Sequence, residues 1–212
     1  MRRLFSSGKS KSSAFTCQYC KSSLGTNMVH CESCHKIQPV PTHVDPFLLF
    51  SMPHKYLPFA ANELQSRLFA LQRKVHPDVV GDERGCGGVV AHGWSALINQ
   101  SYSQLRDPIM RGRLLLKDAE ESEEQERLDD LDFLTDVMLL REKIEGNLDD
   151  AQLQDIKSQV DKQIEDLMKQ VASSLEAKDH DEARIALQKL KYLRNISDAI
   201  SEKQSNNKET TT

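Results

Sequence analysis

Leu153, Ile156, Val160, Ile164, Leu167, Val171 and Leu175 recur at intervals of three or four residues. That period turns one face toward a core only if the segment, about Asp149 to Lys178, is α-helical. A helix of this length cannot bury such a stripe by itself, so the chain must supply partner helices. Two neighbours carry the same period. One runs from about Leu131 to Glu145, with Phe133, Leu134, Val137, Met138, Leu140 and Ile144. The other runs from about Asp181 to Ser201, with Ile185, Leu187, Leu190, Leu193, Ile196 and Ile200. The short connections between them predict an antiparallel three-helix bundle. Beyond it, residues 204–212 are polar and are expected to be a disordered tail.

Upstream the same logic predicts a helical hairpin. Leu64, Leu68, Leu71 and Val75 form a stripe on a helix from about Ala60 to Val75. Arg67, Arg73 and Lys74 lie off the stripe and are expected to point to solvent. Such cations form either a solvated face or a docking surface for an acidic partner. His76-Pro77-Asp78 ends the helix, because proline lacks an N–H and pushes the residue before it out of the α region. Asp78 then sits on a loop, its carboxylate open to the fork of a partner's arginine. Taken alone, the tripeptide is ordinary turn chemistry. Glycines 81, 85, 87, 88 and 93 predict a loop from Val79 to Gly93, but no Gly-Lys-Ser/Thr follows that would make it bind phosphate. A second helix, about Trp94 to Arg106, carries Leu97, Ile98, Tyr102 and Leu105 and is punctuated by Asp107-Pro108. Before the hairpin, Asp45 to Phe50 reads as a short apolar helix or turn between prolines. Between hairpin and bundle, ten acidic residues face a single cation, Arg127, from Asp118 to Asp136, which reads as a solvated linker and acidic helix start.

Four of the five cysteines fall in two pairs, Cys17-Gln18-Tyr19-Cys20 and Cys31-Glu32-Ser33-Cys34, with ten residues between the pairs. An odd total with this clustering argues against a disulfide framework and for a metal. Each pair can place two thiolates on one ion from a tight turn, which suits one zinc in a closed sulfur shell. A closed shell leaves no open position for water, so this zinc is expected to be structural. A module of about 25 residues cannot bury a core, and the metal would supply its folding energy. Nearby His30, His35 and His43 are expected to be bystanders, and Cys86 an ordinary loop thiol.

Composition narrows the remaining classes. A chain with 38% hydrophobic, only 6% aromatic and 28% charged residues fits small helical modules better than one large core. A net charge of −4 supplies no basic field for nucleic acid, and no apolar run approaches the roughly 20 residues that span a bilayer. No nucleic-acid or membrane partner is therefore expected. Residues 1–14 hold Arg2, Arg3, Lys9 and Lys11 among serines, with no acidic residue before Glu32. That character fits an organellar transit segment or a disordered basic tail. A hydrolase built on His76 and Asp78 would need further polar groups converging on them, and none is evident.

Together these motifs resemble the J-domain family: Asp45, Phe47 and Leu49 at the entry, a helix ending in His76-Pro77-Asp78, then Ile98-Asn99-Gln100-Ser101-Tyr102. The closer resemblance is to the HscB-type J-proteins of iron–sulfur cluster biogenesis. It is carried by LQRKVHPD (71–78), ALINQSYSQLRDPIMRGRLLL (96–116), FLTDVMLLRE (133–142) and KLKYL (189–193). The paired cysteines resemble the N-terminal extension of animal members. The fold implied is all-α: a zinc-binding module at 15–41, a J-domain hairpin at 44–117 and a helical bundle at 118–203.

The resemblance implies a co-chaperone and not an enzyme. His76, Pro77, Asp78, Arg67, Arg73 and Lys74 would dock on a heat-shock-70-class chaperone and stimulate its ATPase. Leu134, Thr135, Met138, Leu139, Arg141, Glu142 and Tyr192 would hold the iron–sulfur scaffold protein. Leu134, Met138 and Arg141 or Glu142 do share a helix face by spacing. Core residues and partner-facing residues have that same period, so both assignments stand for Leu134 and Met138. Three positions depart from the family pattern: Val79 where lysine is frequent, Thr135 where a larger apolar residue is usual, and Leu139 where an acid is common. The implied location is the mitochondrial matrix, with a cytoplasmic pool left open, as is a homodimer through the zinc module. The competing functions are a J-domain co-chaperone for another client, a zinc-dependent nucleic-acid binder and a thiol redox sensor.

Overall fold

The computed structural model describes residues 15–25, 28–56, 61–76, 87–117, 128–146 and 148–210. The basic tail 1–14, Pro77, Asp78, Val79, Cys86 and the acidic residues 118–127 lie outside the described residues. The architecture is all-α apart from one small hairpin: two strands, β1 (Phe15–Thr16) and β2 (Ser23–Gly25), precede seven helices among the described residues. The chain divides into two compact units, Met1–Pro53 with Ala60–Ser103, and His54–Phe59 with Gln104–Thr212.

In the first unit, β1 and β2 pair antiparallel around the first cysteine pair, and a single bridge, His30 to Ile37, closes around the second. Helix α1 (Pro46–Leu49) starts at a proline, and the Asp45 carboxylate caps it by accepting from the Phe47 N–H at 2.8 Å. Helix α2 (Ala61–Lys74) buries Leu64, with Val75 buried just past its end, while Leu68 and Leu71 are half-buried. Helix α3 (Gly87–Arg106) begins earlier than expected, since the residues from Gly87 to Gly93 are helical and not loop. Glycine is a poor helix former, yet Gly93 has a packing reason: a Cβ there would lie 2.8 Å from Cγ2 of Val40. Trp94 and Ile98 are fully buried one turn apart on this helix.

The second unit is built on α6 (Asp150–Ala177) and α7 (His180–Thr210). Asp149 and Gln152 form a reciprocal capping box at the start of α6, and Lys178, left-handed at φ 61°, ends it. The next helix begins at once, so the two run antiparallel, joined side by side at Lys157–Ser201 and Gln154–Gln204. The tail expected to be disordered from residue 204 instead continues α7 to Thr210. Its polar side chains are used across the pair: Gln204 donates to Gln154 and Asn207 to Asp150.

Two shorter helices lean on α7. Helix α4 (Pro108–Lys117) was not anticipated, because Asp107-Pro108 reads as a stop. It is also a start: the Asp107 carboxylate accepts from the Ile109 N–H at 2.8 Å, and proline is tolerated in a first turn. Gly112 lets α4 approach closely, since a Cβ there would lie 2.6 Å from Cδ2 of Leu187. Arg111, nearly fully buried, donates to the carbonyls of Tyr56 at 2.9 Å and Leu105 at 2.6 Å. Helix α5 (Leu131–Glu145) is tied to α7 at both ends. Lys189 pairs with the capping carboxylate of Asp130 at 2.7 Å, and Lys203 donates to the carbonyls of Ile144 and Gly146. A cation at those last carbonyls also meets the negative end of the helix dipole.

Candidate functional site

The first site is the four-cysteine cluster. Its two turns have the same construction. Cys17 N–H donates to the Ser22 carbonyl and Lys21 N–H to the Cys17 carbonyl; Cys31 N–H donates to Lys36 and His35 N–H to Cys31 in the same way. The residue after each second cysteine is left-handed, Lys21 at φ 62° and His35 at φ 56°. The left-handed residue closes each turn and returns the chain, so that the carbonyl after it accepts from the N–H of the first cysteine. Across the turns, Sγ of Cys17 lies 3.7 Å from that of Cys34, and Sγ of Cys20 lies 3.5 Å from that of Cys31. All four sulfurs fall within 4.8 Å of one another. A tetrahedral four-sulfur centre with bonds of about 2.3 Å has edges of about 3.8 Å, so the donor set fits a metal ion. Among the described residues the cluster holds only these cysteines, and His30, His35 and His43 do not join it.

Donors already surround the sulfurs. The N–H groups of Tyr19 and Cys20 point at Cys17 Sγ from 3.4 and 3.5 Å, and the Gln38 amide reaches it at 3.4 Å. The Ser22 hydroxyl lies 3.2 Å from Cys31 Sγ. That contact, with the N–H of Cys34, pulls the Cys31 thiol down to a pKa of about 5. Burial and the neighbouring sulfurs push the Cys34 thiol up to about 12, so without a metal the group shares its protons unequally.

The second group sits around α2. Arg73, Lys74 and His76 are exposed at its C-terminal end. Arg67 is not the free cation expected. It is half-buried and donates to the carbonyls of Phe50 at 2.8 Å and Ser51 at 2.6 Å, while pairing with Glu63 at 2.8 Å. The left-handed turn at Ser51 presents those two carbonyls to it, so Arg67 secures the end of α1. Burial, and then the nearby Lys74 ammonium, hold the His30 imidazole below its ordinary value.

The third group is the outer face of α5. Phe133, Val137, Leu140 and Ile144 turn inward onto the bundle core with Leu193, Ile196 and Ile200. The opposite side remains in solvent, with Met138 72% and Leu139 58% exposed and Leu134 half-buried. Met138 is therefore surface and not core. Thr135, Arg141 and Glu142 are exposed beside it, Thr135 donating back to the Leu131 carbonyl and Arg141 pairing with Glu145 at 3.4 Å. Tyr192 joins from α7, its ring edge-on to Phe133 with centroids 6.3 Å apart. Beneath, between α5 and α6, runs a groove of about 540 Å³ lined by Val137, Leu140, Ile156 and Val160. Sequence reasoning missed the roles of Gln38 and Trp94, bonded to each other across 56 positions, and of Arg111, bonded to Tyr56 across 55, because none of these pairings leaves a periodic or motif signal.

Comparisons with known proteins place these features in context. Residues 129–201 match the family model described as the HSCB C-terminal oligomerisation domain. The human iron–sulfur cluster co-chaperone protein HscB is 33% identical over 174 residues, covering 80% of this chain and 73% of the human one. The Arabidopsis thaliana homolog is 28% identical over 174 residues, covering 82% and 69%. The crystal structure of human co-chaperone protein HscB superposes with a TM-score of 0.77 at 28% identity, covering 89% of this chain and 98% of that one. The chaperone HscB from Vibrio cholerae gives 0.68 at 25% identity, covering 77% and 99%.

Proposed function

This chain belongs to the HscB family of iron–sulfur cluster co-chaperones, and from that premise we propose that it binds the cluster scaffold protein and delivers it to a heat-shock-70-class chaperone of the mitochondrial matrix, for cluster transfer to recipient proteins. The observation that carries the scaffold half is the outer face of α5. Its inner side is already committed to the bundle, yet Met138 and Leu139 stay in water at 72% and 58% exposure. Exposed large apolar side chains beside charged neighbours suit a protein partner. Leu134, Thr135, Met138, Leu139, Arg141, Glu142 and Tyr192 form that face.

The chaperone half rests on His76-Pro77-Asp78 and the exposed cations Arg73 and Lys74. Asp78 pairs with an arginine of the chaperone, His76 and Pro77 shape the loop, and the two cations speed encounter and set orientation. Arg67 contributes by tying the chain just after α1 to the middle of α2. The protein performs no chemistry in this scheme. It biases a step of the partner's ATP cycle, which requires contacts that differ between the partner's states.

Cys17, Cys20, Cys31 and Cys34 hold one zinc. When bound, the ion closes the sulfur shell and stabilises a module with little core of its own. The basic, serine-rich residues 1–14 direct the chain to mitochondria.

Single-turnover ATP hydrolysis by such a chaperone tests the reading. Stimulation is expected with this protein, a further rise when scaffold is added, and loss of both with Asp78→Asn, which leaves the fold intact. Stimulation without scaffold synergy would assign the bundle to another client. No stimulation would reduce His76-Pro77-Asp78 to a turn.

A further inference from the structure

Gln38 lies between the cysteine cluster and helix α3, within the first unit, and is only 4% exposed. Each of its polar groups has a partner. Its Oε1 accepts from the Gln18 N–H at 3.0 Å, inside the first cysteine turn. Its Nε2 donates to Cys17 Sγ at 3.4 Å and to the Lys36 carbonyl of the second turn at 3.0 Å. Its N–H donates to the Val29 carbonyl at 2.8 Å. Its own carbonyl accepts from Nε1 of Trp94 at 2.8 Å. Trp94 is fully buried and is the single tryptophan of the chain. Two residues on, Val40 fills the space left by the missing Cβ of Gly93, the residue before Trp94.

Burial alone requires that each of these groups find a partner, so what sets Gln38 apart is which partners it takes. It spans both cysteine turns, touches a sulfur that would bind the metal, and holds the buried indole of helix α3. We infer that Gln38 is a positioning residue that links metal occupancy of the four-cysteine centre to the packing of helix α3, so that metal binding and hairpin stability form one linked equilibrium. The inference rests on the metal reading of the cluster given above. The physical basis is the amide N–H on the sulfur. A thiolate held by a metal is a fixed, charged acceptor that anchors the Gln38 side chain, and through its backbone the Trp94 indole. Without the metal that anchor goes, and the carbonyl that holds Trp94 is no longer fixed from the cysteine side. Linkage makes the effect reciprocal: a change that unseats Trp94 weakens metal binding by at most the factor by which metal loss weakens Trp94 packing.

The test uses the full chain reconstituted with zinc and titrated with a chelator, zinc release being followed by a metallochromic indicator. Trp94 emission is expected to shift to the red in step with zinc release, and amides of helix α3 to exchange faster, while those of α6 and α7 do not change. Gln38→Met, which keeps the volume and removes the donors, is expected to weaken zinc binding by about 10–100-fold. Trp94→Phe, a change on the helix with no contact to a cysteine sulfur, is expected to weaken it several-fold with helicity retained. That second variant keeps the test decisive if Gln38→Met does not fold. Zinc bound and released with no response from Trp94 or helix α3 overturns the inference alone, as do unchanged affinities in both variants. A chain that takes up no zinc on reconstitution overturns the metal reading and the inference together.

Discussion

The cysteine module and the C-terminal bundle solve the same problem by opposite means. In the bundle, stability is spread along two long helices whose contacts include Leu153, Val160, Val171, Leu190 and Ile200, all nearly fully buried. Among the described residues of the module, one buried cluster is Leu24 with the cysteines themselves, and only Met28 and Val29 add buried apolar side chains from the adjoining segment. Distributed apolar burial degrades gradually, one side chain at a time, because each contributes only a few kcal/mol. Four sulfurs sharing one ion would fail as a unit. With a metal bound, the module would respond to a single chemical event, whereas the bundle loses stability one side chain at a time.

The contrast is broken most directly at Cys31. Cys31→Ser should abolish stoichiometric metal content and release the module, since structural zinc supplies about 10–16 kcal/mol of apparent binding energy in small domains. Elemental analysis with hydrogen exchange should show fast exchange of residues 15–38 and unchanged protection in α6 and α7. Loss of protection in those helices would mean that the chelate also supports the bundle.

Leu153→Ala makes the opposite cut. Its side chain is fully buried, so a loss of about 2–5 kcal/mol is expected in urea unfolding, with metal content unaltered. Met138→Ala on the neighbouring helix should change stability by less than about 0.5 kcal/mol, as a surface substitution. It should nonetheless weaken scaffold binding by about tenfold, measured by calorimetry. Equal losses of stability at Leu153 and Met138 would erase the distinction between the two faces of the bundle.

The smallest effect concerns pH. The Lys189 ammonium, and then the Phe133 N–H, hold the Asp130 carboxylate below the usual range. Because the folded value is the lower one, this contact stabilises fully above the unfolded value of about 3.9 and is lost as pH falls through the folded value. Wild type should thus be modestly more stable than Asp130→Asn near neutrality, and the gap should narrow below about pH 4. A gap that stays constant from neutral pH into that range would show that capping by Asp130 matters less through its charge than through its shape.

Much of this molecule is legible in one dimension because its signals are local or periodic. The α6 stripe declares a helix since only a 3.6-residue period aligns Leu153, Ile156 and Val160. The cysteine spacing declares a candidate metal site since each turn is complete within its own few residues. Proline and glycine misled where they have two uses. Pro108 ends one helix but opens another, and Gly93 suggests a loop but admits Val40. The polar residues after Gln204 suggested disorder, while their partners Gln154 and Asp150 lie about 50 positions earlier on α6.

By itself the sequence determined the periodic helices α2, α5, α6 and α7, the clustering of the four cysteines, and the motifs the chain shares with its family, because each depends on neighbours close along the backbone. Tertiary structure alone decided which side of α5 faces water, since core and partner-facing residues share one period until α7 covers Phe133 and leaves Met138 bare. It also decided that Arg67 serves the end of α1 and that Gln38 reaches both a cysteine sulfur and Trp94. Those roles are set by groups far apart in the chain, and only folding brings them within a hydrogen bond of each other.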